Sequence, residues 1–215
     1  MVMSVYTTEE LIHQVLDYAT HLSLLEFLGL FFGLLCVYFL IKQNILTWIC
    51  GIIYVLISFV VFWQARLYGD FLLHIIFLVL NIYGWIEWTR NRSSNGKLSV
   101  STLSLRDSFV TGACCLIGII LFAQLLIIGP NLIEGMKPAS LPYWDSTTSI
   151  LSVAGIWLTA KKKLENWYYW LIVDILATGI YYYKGIYFYS VLYFVYIGMA
   201  ISGYLAWKKS LQIKA

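Results

Sequence analysis

The segment 22–41 reads LSLLEFLGLFFGLLCVYFLI and carries one charged residue, Glu26. An α-helix of this length extends about 30 Å, which matches the hydrocarbon core of a bilayer. Six further stretches share its length and apolar character, and we expect seven spans at 22–41, 45–64, 70–88, 107–128, 143–160, 166–183 and 188–207. The runs are continuous and lack the alternation of membrane barrel strands. The sequence therefore predicts an all-α integral membrane protein with seven transmembrane helices.

The composition excludes an ordinary soluble domain. Of the 215 residues, 61% are hydrophobic and only 12% are charged, whereas soluble domains average about 25% charged residues. The net charge of +3 is too small to predict a nucleic-acid partner. The four cysteines lie inside predicted spans without the spacing of metal ligands, and no Gly-rich phosphate loop occurs. We therefore expect the lipid bilayer as the main environment, with no metal, no cofactor and no ATP-driven step.

The basic residues divide unevenly between the two ends of the predicted spans. Only Arg66, Lys137 and Lys184 fall on one side, and the rest of the 14 Lys and Arg residues fall on the other. Basic residues are retained on the cytoplasmic side of a membrane. This division predicts a multi-pass protein with its N-terminus outside and its C-terminus in the cytoplasm.

Two parts of the chain resemble each other. Residues 83–88, YGWIEW, align with 202–207, SGYLAW, at an offset of 119, and Trp48 aligns with Trp170 at an offset of 122. Such self-similarity predicts a repeated unit. We expect two parallel three-helix repeats joined by a linker helix, a 3+1+3 arrangement. The regions are an external amphipathic segment at 1–21, a first repeat at 22–92, a cytoplasmic loop, linker helix and external loop at 93–142, a second repeat at 143–207, and a cytoplasmic tail at 208–215.

Two predicted helical faces combine aromatic and polar side chains. They carry Trp167, Trp170, Asp174 and Tyr181 in the sixth span, and His74, Asn81 and Trp85 in the third. A charged group at bilayer depth costs about 2.5–3.5 kcal/mol, so Asp174 needs a partner or a function. If both faces point into the helix bundle, their indole rings surround one carboxylate and one amide. Such a site suits a flat aromatic cation, because indole faces attract positive charge.

Tryptophans near the ends of spans have a structural alternative, because Trp is enriched at membrane interfaces. We expect this interfacial role for Trp48, Trp88 and Trp207. It is an open alternative for Trp167 and Trp170, which lie in the first turns of their span.

The polar residues have alternatives as well. Asn81 could join two helices by a hydrogen bond. Glu26 is either a snorkelling structural acid or a residue of the substrate pathway. His74 could be a gate, a proton carrier or a helix-contact residue. Asp174 is the strongest candidate, because no Lys or Arg is predicted at its depth.

Five short motifs are spread along most of the chain. They are GLLC at 33–36, QARLY at 64–68, NIYGW at 81–85, PYWDS at 142–146, and ENWYYW at 165–170 with its W-x-x-W pattern. Together they resemble the Pnu family of bacterial vitamin transporters, over about residues 24 to 207. Asp145, within PYWDS, and its neighbour Thr148 join Glu26 and the two aromatic faces as candidate substrate-binding residues.

The resemblance implies a fold like that of SWEET-type carriers, at full length in one chain, and assembly as a homotrimer. It also implies facilitated diffusion of a B-vitamin compound across the bacterial inner membrane. A cytoplasmic kinase would then trap the product by phosphorylation. A membrane enzyme is the disfavoured alternative, because no Ser, His and acid constellation occurs on facing spans.

The resemblance to the Pnu family implies one of three substrates: nicotinamide riboside, thiamine or riboflavin. We expect nicotinamide riboside, with thiamine as the closest alternative. The reason for the alternative is that His74 and Asp174 stand where nicotinamide riboside members have Gln and Asn, and a carboxylate can pair with the thiazolium of thiamine. A proton-coupled symporter is a further alternative, in which Asp174, His74 and Glu26 relay protons.

Overall fold

The computed structural model describes residues 8–64, 68–90, 98–132 and 139–212. Eight helices lie within these ranges. They are α1 (Thr8–Thr20), α2 (Leu24–Ile41), α3 (Leu46–Gln64), α4 (Tyr68–Arg90), α5 (Leu105–Leu132), α6 (Pro142–Ala160), α7 (Asn166–Tyr183) and α8 (Tyr187–Gln212). Five of the basic residues used to predict orientation lie outside the described ranges, namely Arg66, Arg92, Lys97, Lys137 and Lys214. So do residues 65–67 of the QARLY motif.

The predicted fold class, seven transmembrane helices in a SWEET-like 3+1+3 arrangement, is wrong. The described ranges contain eight helices, and five of these, α2, α3, α4, α5 and α8, are long and apolar enough to cross a membrane. The overcount has a physical cause. The segments α6 and α7 are rich in Ser, Thr, Tyr and Trp and each contains an acid, whereas the sequence argument treated their aromatic residues as fully apolar. The helix that was not among the seven predicted spans is α1, and it lies in the segment 1–21 that was predicted to be amphipathic.

The N-terminus of α2 is fixed by a capping box. The Ser23 hydroxyl accepts the backbone N–H of Glu26 at 3.2 Å, and the Glu26 carboxylate accepts the backbone N–H of Ser23 at 2.9 Å. A box of this kind satisfies two of the N–H groups that a helix start leaves unpaired. The Tyr18 hydroxyl of α1 donates to the same carboxylate at 3.0 Å. Glu26 therefore starts α2 and also attaches α1 to it.

The helices pack mainly against their neighbours in the chain. The helices α2, α3 and α4 contact one another in order, as do α5, α6, α7 and α8. Further contacts join α2 to α8, α4 to α6 and α1 to α8. The first two of these contacts hold the N-terminal and C-terminal helices together.

Four indole rings form the centre of the core, and we call them the tryptophan cluster. They belong to Trp48, Trp88, Trp167 and Trp207, which are 0–6% exposed. Consecutive ring centroids in the order 48, 88, 207, 167 lie 5.4, 6.2 and 5.5 Å apart. The prediction that Trp48, Trp88 and Trp207 lie in an interfacial belt is therefore wrong, because their rings are buried against one another.

Glycines make room for the tryptophan cluster. A β-carbon at Gly84 would overlap the six-membered ring of Trp48, and a β-carbon at Gly203 would overlap that of Trp167. The same pairing thus occurs twice at an offset of 119. In packing, Trp48 therefore corresponds to Trp167, whereas the sequence alignment had paired it with Trp170.

Candidate substrate site

Trp170 lies in the second turn of α7 and is half-buried. Its indole N–H donates to the Thr159 hydroxyl of α6 at 3.2 Å. Its ring lies against Gly155, where a β-carbon would be 3.1 Å from Cε2 of the indole. The ring is therefore held at its edge and on one side by α6, while part of it stays accessible.

The Thr159 hydroxyl belongs to a small buried network. It contacts the carbonyl oxygen of Gly155 at 2.8 Å and the side-chain oxygen of Asn166 at 3.2 Å. Thr159 is 4% exposed and Asn166 is fully buried. Thr159 was not predicted from the sequence, because only the packing of α6 on α7 brings its hydroxyl to Trp170.

Asp174 follows Trp170 by one helical turn, about 6 Å along the axis of α7. It is 6% exposed, and in the described part of the chain no hydrogen-bond donor reaches its carboxylate. Tyr193 and Tyr196 of α8 lie within electrostatic range of it. The structure thus places an acid, with no cationic partner among the described residues, one turn from a half-buried indole.

Tyr181 belongs to a group of five aromatic residues that we call the tyrosine cluster. Its members are Tyr54, Tyr181, Tyr189, Tyr193 and Tyr196. The Tyr181 ring stacks on that of Tyr193 at 5.3 Å, and it lies 5.5 Å from that of Tyr189. A β-carbon at Gly33 of α2 would be 2.9 Å from the Tyr196 hydroxyl and 3.7 Å from the Tyr54 ring.

The tyrosine cluster joins α3, α7 and α8, and α2 packs against it at Gly33. All five of its members are half-buried. Of these five residues, only Tyr181 was predicted from the sequence. The spacing of Tyr189, Tyr193 and Tyr196 at i, i+4 and i+7 places them on one face of α8 and could have revealed them.

Asn81 and His74 are buried on α4, 5% and 7% exposed respectively. The Asn81 amide donates to the carbonyl oxygen of Phe77 at 2.8 Å, and its oxygen lies against Gly51 of α3. The His74 Nδ1 atom donates to the carbonyl oxygen of Asp70 at 2.9 Å. Its Nε2 atom has no hydrogen-bond partner among the described residues. Both residues therefore bond within α4 rather than to the Asp174 carboxylate.

Trp167 and Trp85 differ in exposure from Trp170. Trp167 is 2% exposed within the tryptophan cluster, and its indole nitrogen has no partner among the described residues. Trp85 is 42% exposed. The two faces predicted from spacing thus do not close into one box of indole rings around Asp174.

Three predicted residues lie at the opposite end of the helices from Trp170. Glu26 caps α2, the Asp145 carboxylate contacts Lys184 at 3.4 Å, and the Thr148 hydroxyl donates to the Asp145 carbonyl oxygen at 3.0 Å. Asp145 precedes Thr159 by 14 residues of α6, which is about 21 Å of helix. These residues form an outlying group, separate from Trp170 and Asp174. Across the described ranges, no three His, Cys, Asp or Glu side chains are grouped so that they could hold a metal ion.

Comparison with known proteins gives consistent matches. The family model described as "Nicotinamide mononucleotide transporter" matches residues 23–209. The nicotinamide riboside transporter PnuC of Escherichia coli is 30% identical over 207 residues, covering 88% of this chain and 87% of the relative. The riboflavin/roseoflavin transporter RibM of Streptomyces davaonensis is 22% identical over 189 residues, covering 87% and 85%.

A solved structure shares the fold. The crystal structure of the vitamin B3 transporter PnuC matches with a TM-score of 0.71 at 20% identity, covering 95% of this chain and 89% of that chain. The resemblance to the Pnu transporters is confirmed, and the protein is a multi-pass membrane transporter rather than an enzyme. The chain belongs to the nicotinamide mononucleotide transporter family.

Proposed function

We propose that this chain takes up nicotinamide riboside by facilitated diffusion. The observation that carries the proposal is the pairing of Trp170 and Asp174 on one face of α7. Trp170 offers an accessible indole, and Asp174 offers a buried carboxylate with no cationic partner within the described ranges. Relatives named as nicotinamide riboside transporters support the choice of substrate.

The chemistry of the ligand fits these two side chains. Nicotinamide riboside has a flat pyridinium ring with a positive charge. An indole face attracts such a cation by about 0.5–1 kcal/mol at an exposed site and by about 2 kcal/mol when water is excluded. A carboxylate one turn away neutralises the charge at a depth where an unpaired ion is costly. Tyr181 and its neighbours in the tyrosine cluster supply further aromatic surface and hydroxyl groups.

The other predicted residues take secondary roles in this proposal. Asn81 and His74 bind substrate from α4. The substrate passes Glu26, Asp145 and Thr148 on its path to the site formed by Trp170 and Asp174. The affinity predicted for the site formed by Trp170 and Asp174 does not depend on Trp85 or Trp167. These two tryptophans are further candidate substrate-binding residues.

The driving force is metabolic. Nothing in the sequence provides an ATP-binding loop, so substrate moves down its gradient until a cytoplasmic kinase phosphorylates it and the charged product stays inside. The protein lies in the bacterial inner membrane, with its N-terminus outside and its C-terminus in the cytoplasm. It assembles as a homotrimer.

Thiamine is the alternative substrate, and Asp174 is the observation that favours it. A carboxylate pairs directly with the thiazolium cation or accepts a hydrogen bond from the aminopyrimidine. Riboflavin has no positive charge, so Asp174 gives it no such advantage. A proton-coupled mechanism through Asp174, His74 and Glu26 is the second alternative.

The test is calorimetric titration of the purified protein with nicotinamide riboside, thiamine and riboflavin. Nicotinamide riboside should bind most tightly. Trp170→Ala should weaken binding by more than about tenfold, because the lost cation–π contact is worth about 2 kcal/mol when desolvated. Trp63→Ala is the matched control, since Trp63 is 63% exposed and lies outside the proposed site.

Asp174→Asn distinguishes the substrates, because it removes the charge and keeps the shape. Affinity for a cation that is paired with Asp174 should fall, and a change in the ranking of the ligands would identify which cation is paired. Unchanged affinities in both Trp170→Ala and Asp174→Asn would contradict the proposed site. Accumulation of unmodified substrate in vesicles that have only a pH gradient and no kinase would contradict facilitated diffusion and support the symporter.

A further inference from the structure

The Thr159 hydroxyl has one hydrogen and three polar neighbours. Two of them, the Gly155 carbonyl oxygen and the Asn166 side-chain oxygen, are acceptors, at 2.8 and 3.2 Å. The third, the indole N–H of Trp170 at 3.2 Å, is only a donor. The hydroxyl therefore donates its one hydrogen to an acceptor, of which the Gly155 carbonyl oxygen is the nearer, and its oxygen accepts the N–H of Trp170.

This arrangement fixes the indole of Trp170 at two points. The N–H edge is held by Thr159, and three ring atoms lie 3.1–3.4 Å from the place that a β-carbon of Gly155 would occupy. The backbone of α6 therefore lies against one side of the indole. The accessible part of the half-buried ring is left for a ligand.

Binding a flat cation requires that the indole plane be set before the ligand arrives. A side chain that must first be ordered loses conformational entropy on binding, and preorganisation removes that cost. Thr159 is 4% exposed, so its hydroxyl is shielded from competing water and can act as a fixed acceptor.

We propose that Thr159 is a positioning residue for substrate recognition, which acts by accepting the Trp170 N–H and holding the indole in its ligand-binding orientation. The inference rests on the proposed function, in which Trp170 contacts the substrate. It predicts that the Thr159 hydroxyl contributes to affinity only while Trp170 has an N–H to donate.

A double-mutant cycle tests this prediction. Thr159→Val removes the hydroxyl at nearly constant shape, and Trp170→Phe keeps an aromatic ring but removes the N–H. Calorimetric titration with nicotinamide riboside and with thiamine should show that Thr159→Val weakens binding about tenfold, which corresponds to about 1.4 kcal/mol. In the Trp170→Phe background, the same substitution should change affinity by less than about twofold.

Thr159→Ser is the rescue variant, because it restores the hydroxyl, and its affinity should lie within about twofold of the unmodified protein. Gly155→Ala provides a second, independent variant if Thr159→Val does not fold. It keeps the Thr159 hydroxyl but displaces the indole by a few tenths of an ångström, and it should weaken binding in the Trp170 background and not in the Trp170→Phe background.

The outcomes separate this inference from the proposed function. If Trp170→Ala weakens binding but Thr159→Val does not, the positioning role is wrong and the proposed site stands. An equal effect of Thr159→Val in both backgrounds would mean that Thr159 acts on the fold and not through Trp170. If Trp170→Ala leaves affinity unchanged, the proposed site fails and the role of Thr159 fails with it.

Discussion

Trp207 donates its indole N–H to the carbonyl oxygen of Leu40 at 3.0 Å, across 167 residues of chain. Trp88 makes the corresponding bond to the carbonyl oxygen of Ala160 at 3.1 Å. Both acceptors lie in the last turn of a helix, where carbonyl groups lack their usual helical partner, and the Leu40 carbonyl oxygen also accepts the backbone N–H of Gln43 at 2.9 Å. The two indole bonds together join α8 to α2 and α4 to α6.

Trp207→Phe should lower the stability of the protein by about 1–3 kcal/mol, because it leaves a buried carbonyl with one partner fewer and removes part of a fully buried ring. Thermal unfolding of the detergent-solubilised protein measures the change. Trp63→Phe serves as the control, since Trp63 is 63% exposed. Equal unfolding temperatures for the two variants would show that the bond to Leu40 contributes nothing to stability.

Gly203→Ala should destabilise the protein, since its β-carbon would overlap the Trp167 ring. Overpacking of a core costs about 1–3 kcal/mol. Gly198→Ala on the same helix is the matched control. In the described part of the chain, no atom outside the adjacent backbone of α8 lies within 4 Å of its β-carbon position, so it should gain up to about 1 kcal/mol from better helix propensity. The two substitutions should thus shift the unfolding temperature in opposite directions, and a shift in the same direction would contradict the packing of Trp167 on Gly203.

Lys161 should couple α6 to α4 through Glu87, whose carboxylate its ammonium group contacts at 3.0 Å. Hydrogen bonds to Tyr83 and Glu87 raise the pKa of Lys161 above its ordinary value. A raised folded-state pKa stabilises the fold at neutral pH, and this stabilisation is lost only as the pH rises through that value.

A double-mutant cycle measures this coupling, with the single substitutions Lys161→Met and Glu87→Gln and the double substitution. The side chains are 34% and 18% exposed, so the coupling free energy at neutral pH should be about 0.2–1 kcal/mol and should shrink with added salt. Strictly additive effects of the two substitutions would show that the pair is not coupled.

Tyr18→Phe should loosen α1 without releasing it. The substitution removes the hydrogen bond from Tyr18 to Glu26, while the ring keeps its contacts with Phe188 at 5.0 Å and Tyr189 at 6.0 Å. Hydrogen exchange of the α1 amides should rise by about two- to tenfold, since one hydrogen bond is worth about 0.5–1.5 kcal/mol.

Gln14→Ala is the control for this measurement, because Gln14 is exposed on the same helix. Tyr18→Ala, which also removes the ring contacts, should raise the exchange further. Unchanged exchange in Tyr18→Phe would mean that the rings alone hold α1 on α8.

Local patterns in the sequence predicted the all-helical class, the helix within 1–21 and the shared face of Trp170 and Asp174, because these depend on spacing along one helix. The count of spans failed because α6 and α7, whose Tyr and Trp residues were counted as fully apolar, also contain several polar residues and an acid each. Trp48 and Trp207 were assigned wrongly for another reason, because their positions near span ends are typical of an interface. Their partners make them core residues: Trp48 packs against Trp88, 40 residues away, and Trp207 contacts Trp88 and Leu40, 119 and 167 residues away.

The candidate site residues that were predicted correctly also depend on spacing along one helix, and those that were missed depend on packing between helices. Trp170 and Asp174 were found because one helix carries both. Thr159 and Tyr193 were missed because each acquires its place only when α6 and α8 pack against α7. Asp145 and Thr148 were grouped with the central residues by motif, although α6 carries them about 21 Å from Thr159.

The tryptophan cluster also gives the protein an optical signature. Two of its ring pairs are nearly perpendicular, at 88° and 89°, with centroids 5.4 and 5.5 Å apart, so their electronic transitions should couple and produce strong near-ultraviolet circular dichroism. That signal depends on fixed tertiary packing and involves neither Trp170 nor Asp174. It therefore reports, without any ligand, whether a variant of the substrate site still has an intact core, and it lets a loss of binding be read as a change in recognition.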